Sequence, residues 1–552
     1  MRARLARLQE TAERPFDRAF GQAGNPWRHL GGLAYWLFWI VAVTGIYVYI
    51  GFDTRVDGAY ASVERLSSNA FPLGSPARSL HRYASDAFVL VAVAHLWREW
   101  LLGRYAHFRR FSWTTGVLTL WLLFASGIGG FWLVWDRLAQ YSLIATAEWL
   151  DALPVFGGAL IRNFIAAGAV SDRLFSLLIF LHIGIPLALL ALMWVHVQRL
   201  SHPATHPPRA LAWGTLGALT LLSLARPVAS DAPADLALAP GTLALDWPYL
   251  GVHAFADATS ATTLWLAAGA FTLLLLALPW ASRAARTPRP AAAVVDLAHC
   301  NGCGRCVADC PYAAVTMGHR ANGKSLLRQA AVDADLCAGC GICAGACPSS
   351  TPFRSVADLV TGIDLPQAPV ATLRVQLDAV LARLATPSAE PRTPAIVVFG
   401  CDPACGGPDP GRVANARTAT LALTCAAQLP PSFVEYALRG GADGVLVTGC
   451  RDGDCAFRLG NRWTEARLAA TREPPLRAAV PRERVRIAWV GRDGDELAAI
   501  LAEFRGDVAR VERQRNPGEP PVGAGPGFRF AQHRATHRAT HRATPRNPKS
   551  RE

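Results

Sequence analysis

The chain has 552 residues, 13 cysteines, 14 histidines and a formal net charge of +14. That length exceeds a single domain and leaves room for three or four. All 13 cysteines lie at or after Cys300, which excludes a disulfide framework spread through an exported chain and favours metal-binding thiolates in a reducing compartment.

Residues 1–29 read as a basic, amphipathic arm without the apolar core and cleavage site of an export signal. Residues 30–283 read as an all-α transmembrane bundle. Six apolar segments (30–50, 84–102, 115–135, 174–197, 210–224 and 262–280) come near the roughly 20 residues a crossing needs, the fifth being the shortest. Arginine clusters in the arm and at 98–110, 199–209 and 283–289 fall on one side if all six cross. Loops 51–83, 136–173 and 226–260 are less basic and more acidic. The expectation is an inner-membrane, multi-pass protein with both termini in the cytoplasm, its positive charge serving topology rather than nucleic acid binding.

Four histidines form matched pairs. His81 and His95 lie 14 residues apart, at the edge of and within the second segment, and His182 and His196 lie 14 apart on the fourth. Fourteen helical residues rise about 21 Å and return to nearly the same face. Two such helices facing each other present an outer pair, His81 with His182, and an inner pair, His95 with His196. Bis-imidazole ligation of two stacked haems needs that arrangement. No Cys-x-x-Cys-His occurs, so the haems should be b-type and non-covalently held. Glu99, His202 and His206 near the expected cytoplasmic ends are candidate proton donors for a redox reaction there, although an ordinary interface role is the better expectation for each.

Residues 292–352 contain Cys300-x-x-Cys303-x-x-Cys306-x-x-x-Cys310-Pro and Cys337-x-x-Cys340-x-x-Cys343-x-x-x-Cys347-Pro, two copies of one motif. Three thiolates on a turn hold one 4Fe–4S cubane while the fourth reaches across to the other. One set is then Cys300, Cys303, Cys306 and Cys347; the other is Cys337, Cys340, Cys343 and Cys310. Zinc would call for paired knuckles instead. Residues 353–394 read as a helix and a Pro-rich linker. Residues 395–510 alternate β-branched runs with helical patterns, a small α/β domain with Cys401, Cys405, Cys425, Cys450 and Cys455 at or near strand ends. The tail, 511–552, carries His-Arg-Ala-Thr three times from His533 and reads as disordered.

These motifs carry three resemblances. Residues 20–205 resemble the N-terminal, di-haem half of cytochrome b from the quinol:cytochrome c oxidoreductases. Gly31 and Gly45, and Gly116 and Gly130, are again 14 apart, and the resemblance implies that they let haem planes approach the backbone. Arg78, in Arg78-x-x-His81, and Arg98, in His95-x-x-Arg98, match arginines near haem propionates in that family. Trp113-x-x-Gly116, 152–157 and 182–186 also follow it. The family's C-terminal half is reduced to two further segments, and its Pro-Glu-Trp-Tyr quinol signature meets only Asp246-Trp247-Pro248-Tyr249. Residues 292–350 resemble bacterial two-cluster ferredoxins.

The stretch 440–455, with Gly460-Asn461 beyond, is similar to the delta subunit of methyl-viologen-reducing hydrogenase. That resemblance implies one 2Fe–2S cluster held by four of the five late cysteines, and coupling to hydrogenase or heterodisulfide reductase flavoproteins. The family's opening Cys-x-x-Cys is here Cys401-x-x-x-Cys405, and the residues leave the spare cysteine open.

The expected function is an oxidoreductase subunit of a respiratory chain. It would pass electrons between a cytoplasmic flavoprotein, hydrogenase or heterodisulfide-reductase-like donor and the quinone pool. The expected order is 2Fe–2S, two 4Fe–4S clusters, inner haem, then quinone or the outer haem. No Gly-x-Gly-x-x-Gly fingerprint occurs, so flavin would belong to a separate subunit. Quinol oxidation driving electrons outward to a low-potential acceptor is the alternative direction. A membrane redox sensor is the alternative of another class, but the sequence offers it no output motif.

Overall fold

The computed structural model describes residues 2–68, 72–156, 160, 170–238, 241–282, 288–319, 328–355, 357, 359–385 and 393–515. The repeats from His533, the arginines at 283–287, Gly157 and most of the joint at 387–394 lie outside the described residues.

Helix α1 (Arg2–Phe20) leads through two short turns into α2 (Leu30–Ile50). Then follow α3 (Val56–Ser67), α4 (Gly74–Leu101), α5 (Arg110–Trp132), α6 (Arg137–Asp151), α7 (Asp172–Val197), α8 (Arg209–Ala225), α9 (Trp247–Ala258) and α10 (Ala261–Ala281). Helix α2 packs along α4, and α5 along α7. Their shared core joins Leu37 and Phe38, Phe88 and Val89, Leu123 and Phe131, and Leu189 and Met193. Large apolar side chains on α7 and α10, among them Phe180, Leu187, Leu266 and Leu273, face outward. Such a surface suits hydrocarbon rather than water.

Of the six expected crossings, four belong to helices both long and apolar enough: Pro26–Ile50, His107–Trp132, Asp172–Val197 and Ala261–Ala281. Helix α4, at 28 residues, has the length but carries Arg78, Arg82, Asp86 and Arg98. All four charges are paired within the protein: Arg78 with Glu64 at 3.6 Å, Arg82 with Asp246 at 2.7 Å and Asp86 at 3.2 Å, and Arg98 with Glu13 at 2.9 Å. A central, protein-covered helix can therefore be less apolar than its neighbours. Helix α8 has only 17 residues.

The iron–sulfur arm begins at β1 (Val294–Val295). Strands β2 (Val315–His319) and β3 (Arg328–Val332) pair antiparallel, and β1 pairs with β4 (Ile363–Asp364). This pairing joins the start of the ferredoxin module to the stretch that follows it. Two short helices, α11 (Arg305–Asp309) and α12 (Ile342–Ala346), follow the Cys-rich turns.

Four parallel strands, β5 (Ile396–Cys401), β6 (Thr418–Leu423), β7 (Gly444–Thr448) and β8 (Val485–Ala488), form the last sheet in the order β6-β5-β7-β8. The strand alternation explains its two covered faces. Val397, Phe399, Val445 and Val447 pack against α13 (Val370–Ala385) and α14 (Pro431–Arg439). Ile396, Val398 and Leu446 pack against α16 (Gly494–Arg515), while α15 (Gly460–Leu468) lies at the strand ends. Helix α13, the helix expected ahead of the Pro-rich joint, is part of the sheet's core: Leu373, Leu377, Leu381 and Leu384 are buried there.

Candidate redox centres

Helices α2 and α5 supply glycines, and α4 and α7 supply histidines. Because the paired helices run antiparallel, each glycine meets one histidine. A Cβ on Gly45 would lie 2.9 Å from Cε1 of His81, and one on Gly130 would lie 2.9 Å from Cε1 of His182. The corresponding distances are 3.2 Å for Gly116 to His196 and 3.5 Å for Gly31 to His95. The rings of His81 and His182 lie 6.5 Å apart, centroid to centroid.

The Nδ1 atoms of His81, His182 and His196 are held by the helix that carries the glycine. His81 Nδ1 bonds the Val41 carbonyl at 3.0 Å, and His182 Nδ1 bonds the Ser126 carbonyl at 3.1 Å. Both carbonyls sit four residues before a glycine, where no side chain screens them. Thr115 donates its hydroxyl to the Phe111 carbonyl at 2.8 Å, so at 2.9 Å it accepts from His196 Nδ1–H. Each such bond fixes a tautomer with the proton on Nδ1 and reserves the Nε2 lone pair for a metal. The residues therefore fit haem iron: paired imidazoles, oriented rings and a backbone cleared for a flat macrocycle.

The cysteines gather as three quartets. Cys300, Cys303, Cys306 and Cys347 line one hollow, and Cys310, Cys337, Cys340 and Cys343 line the other. Each triplet wraps a turn with two left-handed glycines, Gly302 and Gly304 in the first and Gly339 and Gly341 in the second. Left-handed backbone is open to glycine at no steric cost, which is how three thiols converge so tightly. Burial pushes the Cys306 thiol up to about 12 and those of Cys340 and Cys343 upward as well. Iron binding there would have to displace protons.

The third quartet lies at the carboxyl ends of β5, β6 and β7, where the strand order turns back on β5. Cys401 and Cys455 each contact both Cys425 and Cys450, closing a ring of four thiols. Cys405 stands outside it, and only its carbonyl meets Cys450, at 3.3 Å. A Cβ on Gly449 would lie 2.7 Å from Cys401 Sγ, and one on Gly460 would run into the sulfurs of Cys425 and Cys455. Ala426 N–H reaches Cys401 Sγ at 3.1 Å. The quartet has the donors and the cleared backbone of an iron–sulfur site.

Comparison with known proteins follows the same division. Residues 19–203 match the cytochrome b/b6/petB family, 299–351 the 4Fe-4S dicluster domain, and 412–512 the methyl-viologen-reducing hydrogenase delta subunit. Cytochrome b6 of Stigeoclonium helveticum is 30% identical over 171 residues, which span 30% of this chain and 78% of that protein. Cytochrome b6 of Oltmannsiellopsis viridis is 29% identical over the same length and shares. The chain belongs to the cytochrome b/b6 family. A solved structure titled Hyperthermophilic respiratory Complex III is 21% identical, covers 46% of this chain and 74% of its own, and has a TM-score of 0.39.

This cytochrome b is a membrane protein and an oxidoreductase electron-transfer subunit, with haem in its bundle and iron–sulfur clusters in its arm. Arg78 and Arg98, expected beside haem propionates, are engaged by protein groups. Arg98 bonds Glu13 at 2.9 Å and Asp454 at 2.6 Å, and Arg78 donates to Ser67 and Ser230. The Asp246–Tyr249 stretch opens α9. Tyr249 is fully buried, its hydroxyl bonded to Ser85 Oγ at 2.9 Å and to the Ser85 carbonyl at 2.8 Å. His202 stacks edge-on with Trp463 at the seam with the arm, and His206 bonds the neighbouring Thr205.

The cysteines of the delta-like domain come last in the chain and were expected first in the electron path. The loop around Cys455 lies on the membrane bundle: Arg104 donates to the Asp454 carbonyl at 2.6 Å, and Arg109 to the Ala456 carbonyl. The chain folds back because its loop carboxylate meets the arginines that flank the apolar helices. Sequence reasoning also missed Arg467, which reaches Asp309 beside Cys310, the Ile342 carbonyl and the Ala427 carbonyl. Nothing local to residue 467 signals this. Thr115 was legible in principle, since Thr44-Gly45 and Thr115-Gly116 are the same dipeptide in the same register.

Proposed function

We propose that this chain links a cytoplasmic flavoprotein, hydrogenase or heterodisulfide-reductase-like donor to the quinone pool. His81 with His182 and His95 with His196 would hold two b haems. The two ferredoxin quartets would hold 4Fe–4S clusters, and Cys401, Cys425, Cys450 and Cys455 a 2Fe–2S cluster, with Cys405 spare. The groups supply one-electron chemistry when bound; the protein supplies separation, orientation and environment. Both chain termini would lie on the cytoplasmic side of the inner membrane.

The observation that carries this reading is the fourfold match of glycine to histidine. A merely structural histidine needs a hydrogen-bond partner, and the Val41 and Ser126 carbonyls would suffice. It does not need a bare backbone against its ring at each of four positions. The contiguous seam between arm and bundle supports a path from soluble donor to membrane: Ser201 N–H bonds the Pro311 carbonyl at 3.1 Å, and Phe108 packs on Tyr312 at 4.7 Å.

The test is reductive titration of the purified protein in bilayer discs, followed by added quinone. Two b-type α-bands, paramagnetic signals of three clusters and haem reoxidation on quinone addition are expected. Haem reoxidation indifferent to quinone would remove the quinone assignment, and absence of bis-histidine low-spin haem would remove the reading altogether.

A further inference from the structure

The three cysteine quartets are not equivalent in their relation to the membrane bundle. Described hydrogen bonds and ion pairs of residues 299–306 stay within the arm, such as His299 with Asp296 and Arg305 with Glu473. Cys303 is exposed. The Cys401–Cys455 quartet is different: all four of its cysteines are buried, at 1–5% exposure.

Asp454, next to Cys455, lies among three arginines of the membrane region. Its carboxylate meets Arg98 at 2.6 Å, Arg28 at 3.6 Å and Arg104 at 3.9 Å. Arg98 stands on α4 three residues beyond His95, and Arg28 stands three residues before Gly31, the glycine facing His95. Cys425 and Cys455 share one buried cluster with Cys340, Tyr312 and Trp463, on which Phe108 and Leu200 of the bundle pack. The second ferredoxin quartet also reaches the seam, through Cys310, whose carbonyl accepts from the Ser201 hydroxyl five residues past His196.

We infer that the Cys401–Cys425–Cys450–Cys455 site is the membrane-side station of the arm, seated over the His95 end of the bundle, with Asp454 as the positioning residue that binds it to Arg98. The Cys300–Cys306 site is then the one remote from the bundle. The inference deepens the proposed function and rests on its assignment of a cluster to the third quartet and a haem to His95 and His196. It has an electrostatic consequence. A cluster with four thiolates carries net negative charge, and a negative charge close to a haem in a poorly screened interface makes that haem harder to reduce.

The test is an optical redox titration of the b haems in bilayer discs, read in the α-band, with cluster content checked by electron paramagnetic resonance. Cys455→Ala, with Cys425→Ala as a second route to the same loss, should raise one of the two haem midpoints and leave the other in place. Cys303→Ala should leave both in place. Asp454→Asn should keep the third cluster's signal and still raise the same midpoint. Unmoved midpoints in both third-site variants, or a Cys303→Ala shift as large as theirs, would overturn the inference while leaving the proposed function intact. A wild-type protein lacking the third cluster's signal would overturn both.

Discussion

The guanidinium of Arg467 pairs with the carboxylate of Asp309 across 158 positions of chain, and the two side chains are only 1% and 3% exposed. The same guanidinium reaches the Ile342 and Ala427 carbonyls. One side chain therefore ties the loops of Cys310, Cys343 and Cys425 together. A buried pair of this kind is costly to break from one side, because the remaining charge loses its partner without regaining water.

Arg467→Ala should accordingly destabilise the arm by about 3–5 kcal/mol. Asp309 would retain Arg472, which bonds it at 2.8 Å, so some structure should survive. The double variant Arg467→Met, Asp309→Leu should recover most of the loss, since both charges leave together. Denaturant unfolding followed by visible cluster absorbance measures both. Equal loss in the single and double variants would mean that the charges themselves hold the seam.

The glycine–histidine distances predict a graded series. Gly45→Ala and Gly130→Ala, at 2.9 Å, should strip the haem proposed for His81 and His182; Gly116→Ala, at 3.2 Å, should weaken the one proposed for His95 and His196. Gly31→Ala, at 3.5 Å, is an ordinary contact and should be tolerated best. Haem-to-protein ratio by pyridine haemochrome gives the ranking, and a flat series would count against close approach as the glycines' purpose.

Thr115→Val removes the Thr115 hydroxyl as an acceptor for His196 Nδ1–H while preserving shape, and leaves the Ser112 carbonyl in place. Loss of a hydrogen bond that orients a metal-bound imidazole commonly costs 10- to 100-fold in affinity, so haem loss on dilution should quicken by about that range. Thr44→Val should do less, because its hydroxyl stands 3.3 Å from His81 Nδ1, against 2.9 Å from Thr115 to His196. Low-spin haem resonances should broaden in the Thr115 variant first.

Tyr249→Phe should cost about 1 kcal/mol through its lost bonds to Ser85 and leave haem content unchanged. Gly127→Ala should cost more, roughly 1–3 kcal/mol, because a Cβ there would run into the Tyr249 ring. Thermal unfolding in detergent ranks the two. The reverse ranking would point to a role for the hydroxyl beyond packing.

The bundle's histidines, the ferredoxin quartets and the order of domains were legible in the residues because each rests on short-range spacing. A 14-residue interval fixes a helical face, and Cys-x-x-Cys-x-x-Cys fixes a turn, whatever surrounds them. Sequence alone could not choose four cysteines from five, because Cys401, Cys425, Cys450 and Cys455 become neighbours only when three parallel strands bring their ends together. Nor could it find Arg467 or the seat of Asp454 on Arg98, contacts that span 158 and 356 positions. Those depend on how the arm folds back onto the bundle, and buried charge decides that: a carboxylate and a guanidinium leaving water must find each other, however far apart the chain carries them.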